Sequence, residues 1–211
     1  MRFLTFLLVV PVILYCLDAL LPRAYIFDPA RLQELSKESI AAANGNTTVL
    51  FEHLTDSLRK EYGEKHINKL DKDAWFFNNA GGAMGAMIIL HASLTEYLIL
   101  FGTPLGTEGH SGVHLAHDYF TILEGQQKRL IAGNHTADIY NPGDQNWLPR
   151  GWNSQYQLEG WALELAQGWI PSMLVFGFLD TFSSTLDIGN LWKTIWLTAK
   201  DMIGQLLVGK I

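Results

Sequence analysis

The sequence predicts a mixed α+β protein: an apolar N-terminal helix, two short helices, an antiparallel β-barrel in the middle and two helices at the end. Three observations predict it. Residues 3 to 17, FLTFLLVVPVILYCL, carry no charge. From about Trp75 to Ile170, short apolar or alternating runs are broken by AGGAMG, FGTPLGTEGHSG, LEGQQ, AGNHT, YNPGDQ and LPRGW, the turn spacing of a sheet that closes on itself or folds into a sandwich. From Pro171 onwards helical periodicity returns.

The first element runs on past Asp18 to a stop at Pro22-Arg23. About 20 residues rising 1.5 Å each cover the roughly 30 Å hydrocarbon core of a bilayer. The competing reading is a cleaved secretory signal with Arg2 as its basic end. A retained anchor is favoured, because CLDALLPRAY offers only Ala19 and Ala24 where a small-x-small cleavage site is needed. Arg2 and Arg23 nearly balance across the segment and leave orientation open, and the sequons at Asn46 and Asn134 permit a lumenal body.

Asp28 caps the next helix, with Pro29 in its first turn, and Asn44-Gly45 ends it. A third helix begins after Thr48, lines up Leu50, Phe51, Leu54 and Leu58, and stops at Gly63. Beyond the barrel, Pro171 opens a helix and Asp187 caps the last one. In that helix Ile188, Leu191, Trp192, Ile195, Ala199, Met202, Ile203 and Leu206 share a face that either covers the barrel or lies in a membrane interface. Trp192, Trp196 and Lys193 favour the membrane.

Composition sets limits on function. At 211 residues one domain with a real core is the default. A net charge of -6, with 15 scattered Lys and Arg, argues against nucleic acid as a partner. The single cysteine, Cys16, rules out an intrachain disulfide and a cysteine-based zinc site. The 12% aromatic content and seven tryptophans suggest contact with lipid or an apolar ligand.

In EGWALELAQGWIP, residues 161 to 167 between two glycines read as a strand. Trp161, Leu163, Leu165 and Gln167 take one face. Glu164 takes the other with Ala162 and Ala166, whose small side chains leave volume above a carboxylate. Two readings fit: a ligand-facing acid, or a buried glutamate that accepts backbone hydrogen bonds. In GVHLAHDYFTIL the same alternation groups His114, Ala116, Asp118, Phe120 and Ile122. Asp118 is either a partner for Glu164 or a solvated residue on the outer face. Two carboxyls in a dry cavity push one pKa up, giving an acid and a base in one pocket. His110, His114, His117 and Asp118 raise a metal reading, but His114 and His117 face opposite ways on a strand, so loop or surface roles fit them better. There is no Walker lysine, no GxGxxG and no GxSxG elbow.

WFFNNAGGAMGAMIILHASLTEYLILFGTPLGTEGHSGVHLAHDYFTILEG, YNPGD and WALELAQGWIPSMLVFGFLDTFSSTLD closely resemble the fungal sterol C-8 isomerases and, more distantly, the sigma non-opioid receptor of the same family. The resemblance covers nearly the whole chain. It implies a transmembrane anchor over residues 1–24, a body over 25–170 whose helices precede a cupin-like antiparallel β-barrel with a buried sterol pocket, and amphipathic helices over 171–211 that cover the barrel and lie on the membrane. The implied location is the endoplasmic reticulum membrane, crossed once. The implied reaction shifts a ring double bond from the 8,9 to the 7,8 position, fecosterol to episterol in ergosterol biosynthesis, with no cofactor and no metal. The implied partners are the sterol, cationic amine inhibitors, membrane lipid and, from the receptor branch, further copies in a homotrimer. The alternative is a non-catalytic, sigma-receptor-like protein that binds sterols or amines.

By the resemblance, Glu164 aligns with the carboxylate that meets cationic amines in the receptor branch. The receptor's second pocket aspartate falls opposite Phe120, and Asp118, two residues away on the same strand face, is the candidate replacement. Glu164 and Asp118 are thus the candidate catalytic pair. Met87, Ile89, Tyr97, Ile99, Phe101, Phe120, Tyr156 and Leu174 are the candidate substrate-binding wall. Tyr97 is expected to hydrogen-bond the acid pair. Glu96, on the opposite face, is expected to be structural.

Overall fold

The computed structural model describes residues 2–211. Helix α1, Arg2–Leu20, is long and apolar enough to cross a membrane, and from Val9 on most of its side chains project away from the protein. Its acid, Asp18, meets the body, accepting from Arg150 Nη1 at 2.5 Å and Trp169 Nε1 at 3.2 Å.

Helix α2, Pro29–Ala43, starts at Asp28, whose carboxylate accepts from the Ala30 amide, and ends at Asn44 in the left-handed region. Helix α3, Thr47–Tyr62, starts two residues earlier than the sequence suggests, because Asn46 caps it. Seven strands follow: β1 Phe76–Ala80, β2 Ala83–Ala92, β3 Glu96–His110, β4 Ala116–Leu130, β5 Asp138–Tyr140, β6 Gln145–Leu148 and β7 Gln155–Gly168. All pairings are antiparallel, in the order β1-β2-β3-β7-β4-β5, with β6 also beside β4.

Strand alternation builds two apolar layers from one sheet. Leu98, Leu100, Leu163 and Leu165 pack outward against Leu32, Leu35, Leu54 and Leu58 of α2 and α3. Tyr97, Ile99, Phe101, Phe120, Ala162 and Ala166 point inward. Backbone meets backbone where β4 crosses β7: a Cβ on Gly125 (φ 80°) would sit 1.8 Å from the Glu159 carbonyl, and one on Gly160 (φ 120°) 2.1 Å from that of Glu124. Only glycine tolerates both the approach and the positive φ, so this pair lets the strands bend.

The barrel is closed by helices rather than by strand pairing. β1 and β6 line one cavity without forming a ladder. The outer edge of β1 instead bonds the C-terminal segment: Thr181 Oγ1 donates to the Asn79 carbonyl at 3.0 Å, and the Phe77 amide donates to Asn190 Oδ1 at 3.3 Å. These bonds satisfy an edge that would otherwise template aggregation. The segment comprises α4, Ile170–Asp180, a π-helical turn over Thr181–Thr185, and α5, Ile188–Leu207, capped by Asp187. α5 turns Thr194, Thr198, Met202 and Gln205 inward. Most of its apolar face is outward, with Trp192 66% and Trp196 59% exposed.

Candidate active site

A cavity of about 130 Å³ lies inside the curled sheet beneath α4 and α5. Glu164 reaches it from the middle of β7, between β3 and β4, opposite Ile99 on one side and Phe120 on the other. Asp118 pairs with Ala166, two residues along the same face of β7. The acids are therefore diagonal neighbours, at positions about 7–8 Å apart. Ala162 and Ala166 flank Glu164 and are fully buried, so the volume above the carboxylate is left to the cavity. Both acids are half-buried, and what surface they keep opens on the cavity they line, deep inside the protein.

No described side chain hydrogen-bonds either carboxyl, and Asp118 Oδ1 is buried with no partner at all. Burial pushes the Asp118 carboxyl above its ordinary range, and a hydrogen bond from the Tyr119 backbone offsets this only in part. Glu164 is raised well above its ordinary value, first by burial and then by the negative charge of Asp118. Burial thus biases each carboxyl toward its protonated form, and the charge of Asp118 further disfavours ionisation of Glu164. Burial raises the Tyr156 phenol too, and both carboxylates add to the shift.

Met87, Ile99, Phe101, Phe120, Tyr156 and Leu174 line the cavity, as does Tyr97. Two expectations change. Ile89 faces inward in register with Ile99 and is buried in the interior cluster, but does not reach the cavity. The Tyr97 hydroxyl is bonded to Thr198 Oγ1 of α5 at 3.3 Å, not to a carboxyl, and burial is the main cause of its raised pKa. Glu96 lies outside the cavity and accepts from the Ile26 and Phe27 amides and from Gln167 Nε2. His117 faces away, stacked on Trp147, and accepts from the Arg150 amide. His110 and His114 do line the cavity, each bonded to the 111–112 backbone. Among the described residues no group of three His, Cys, Asp or Glu side chains is placed to hold a metal ion.

Gln127 and Asn146, absent from the expected wall, also reach the cavity. Counting by twos from Asp118 puts Gln127 outside. The register shift between Ile122 and Glu124 reverses the count and turns it in. Gly125 in the midst of a strand pattern is the signal that marks such a bulge.

The model for the ERG2 and Sigma1 receptor like protein family matches residues 4–210. A C-8 sterol isomerase of Mycosarcoma maydis is 49% identical over 201 residues, 92% of this chain and 83% of that protein. The sigma non-opioid intracellular receptor 1 of Gallus gallus is 36% identical over 183 residues, 86% of this chain and 81% of the receptor. Among solved structures, an RmlC-like cupin from Shewanella frigidimarina aligns with a TM-score of 0.39 and 13% identity over 49% of this chain and 94% of that one. With the family model running almost from end to end, the chain belongs to the ERG2 and Sigma1 receptor like protein family.

Proposed function

We propose that this chain is a C-8 sterol isomerase that moves the ring double bond of a sterol such as fecosterol from 8,9 to 7,8, with Glu164 as the acid and Asp118 as the base. The observation that carries the proposal is a pair of carboxyls with no side-chain partner on one wall of a largely apolar cavity, both raised by burial and Glu164 further by the charge of Asp118. Identity to the fungal isomerases is higher than to the receptors, which favours turnover over binding alone. Glu164 donates its proton to carbon 9, leaving a tertiary cation at carbon 8. The Asp118 carboxylate stabilises that cation and takes the proton from carbon 7, so the 7,8 bond forms with no net change in redox state. Proton exchange then resets the pair. The apolar wall keeps water from the cation. A ligand ammonium at the same place would mimic it, which accounts for cationic amines as inhibitors.

The proposal includes a single-pass anchor over residues 1–24 in the endoplasmic reticulum membrane, the sterol-binding body over 25–170, and helices over 171–211 laid on the lipid. The exposed faces of α1 and α5 support it. The test expresses the chain in cells lacking the activity, washes the membranes in alkaline carbonate and follows an 8-ene sterol by gas chromatography beside Glu164→Gln. Wild-type membranes are expected to keep the protein and yield the 7-ene sterol, with the variant slower by about 10²–10⁴. No 7-ene product from the wild type removes the isomerase; an equally fast variant removes the mechanism; release by carbonate removes the anchor.

A further inference from the structure

The cavity holds a second polar feature that the acid chemistry does not use. Gln127 and Asn146 are only 2% and 6% exposed, yet both line it. Asn146 Nδ2 donates to Gln127 Oε1 at 3.1 Å, and Asn146 Oδ1 accepts from Arg129 Nη1. Arg129 is fixed in turn, donating to Asp138 at 2.9 Å and to the Trp147 carbonyl at 3.0 Å. This relay from the outer surface sets which way each amide points. Gln127 Nε2 makes no hydrogen bond among the described residues and is not fully enclosed, and the residue, almost wholly buried, lines the cavity. An amide donor that the protein leaves free at the wall of a cavity is available to a ligand acceptor.

The ladders place this pair relative to the acids. Asn146 stands opposite Phe120 on β4, and Phe120 stands opposite Glu164 on β7. Asn146 and Glu164 are thus two strand spacings apart, about 10 Å, with the Phe120 side chain between them. We propose that Gln127 and Asn146 bind the 3-hydroxyl of the sterol and so fix which ring carbons meet Glu164 and Asp118. The inference rests on the isomerase reading. Gln127 Nε2 donates to the hydroxyl oxygen, and the hydroxyl hydrogen goes to Asn146 Oδ1, whose second lone pair is not taken by Arg129. The hydroxyl is on ring A and the migrating bond lies at the far side of ring B, so anchoring one end sets the register of the other. A sterol seated the other way round would press its hydrocarbon side chain on the amides and leave Gln127 unsatisfied.

The test compares kcat/KM for an 8-ene sterol with that for its 3-deoxy analogue, in membranes carrying the full chain, Gln127→Met or Asn146→Leu. The wild type is expected to prefer the hydroxy sterol by about 10- to 100-fold, and each variant to bring the ratio near one by losing turnover of the hydroxy sterol. Asn146→Leu strips Arg129 of an acceptor and risks the fold; Gln127→Met leaves that bond in place and decides the matter. A wild-type ratio in Gln127→Met overturns the proposal. Equal loss on both sterols also overturns it, since the amides then serve the scaffold. A wild type that converts neither sterol removes the isomerase reading instead, and is recognised without any variant.

Discussion

Asp118→Asn separates the two carboxyls at the level of single residues. On the proposed mechanism, wild-type activity requires Asp118 charged and Glu164 protonated. It therefore falls on the acid side as Asp118, raised to about 7, takes a proton, and on the alkaline side as Glu164 loses its own. With asparagine at 118 the acid limb disappears. The alkaline limb moves to lower pH, because the negative neighbour that helps Glu164 hold its proton is gone. The rate at the optimum drops by about 10²–10³ for want of a base and a counter-charge to the cation. A pH profile of turnover for both proteins checks this, and an acid limb that survives the substitution assigns the base to another group. These two positions were legible in the sequence because strict alternation holds from Ala116 to Ile122 and from Ala162 to Ala166. Gln127 was not, since one extra residue at the bulge inverts the count. Asn146 was not, since YNPGDQ reads as a turn and hides the four-residue strand behind it. Ile89 differs: alternation puts it on the correct face, but does not record how far along that face the cavity extends.

Elements are joined chiefly at Glu96, which opens β3 and is fully buried. It accepts from the Ile26 amide at 2.8 Å, the Phe27 amide at 3.1 Å and Gln167 Nε2 of β7 at 2.8 Å, and pairs with Lys210 Nζ at 3.0 Å. One carboxylate thus pins the linker after α1, two strands of the barrel and the last turn of the chain. Glu96→Ala leaves the buried Lys210 ammonium without the Glu96 counter-charge and two backbone donors without partners, and is expected to cost about 3–5 kcal/mol. Adding Lys210→Met removes the stranded charge but not the stranded amides, so the double variant recovers only part of the loss. Thermal melts in detergent distinguish this from a simple ion pair, for which the double variant would return to wild-type stability. Helix limits were readable because caps are local: Asp28 and Asp187 each bond an amide two or three residues on. How the barrel closes was not, since β1 takes its edge partners from Thr181 and Asn190, far along the chain.

At the scale of the whole molecule, the acid pair sets a cost that the fold carries at working pH. Both carboxyls have native pKa values above those of the unfolded chain, raised by burial. Between the unfolded and native values the native state binds more protons than the unfolded one. For these two groups, stability therefore falls as pH rises from about 4, through about 7 for Asp118 and through the raised pKa of Glu164. Below the unfolded pKa values both states are protonated and the penalty vanishes. Paired carboxylates elsewhere behave in the opposite sense, so the contribution is isolated by difference. The double variant Asp118→Asn with Glu164→Gln, inactive but no longer burying acids, is expected to melt above the wild type at pH 8, by about 2–4 °C for each kcal/mol relieved. The gap should shrink steadily as the buffer is lowered and close near pH 4. A gap independent of pH would mean that the substitutions stabilise by packing alone and that the cavity does not hold the acids in the raised state on which proton donation to an alkene depends.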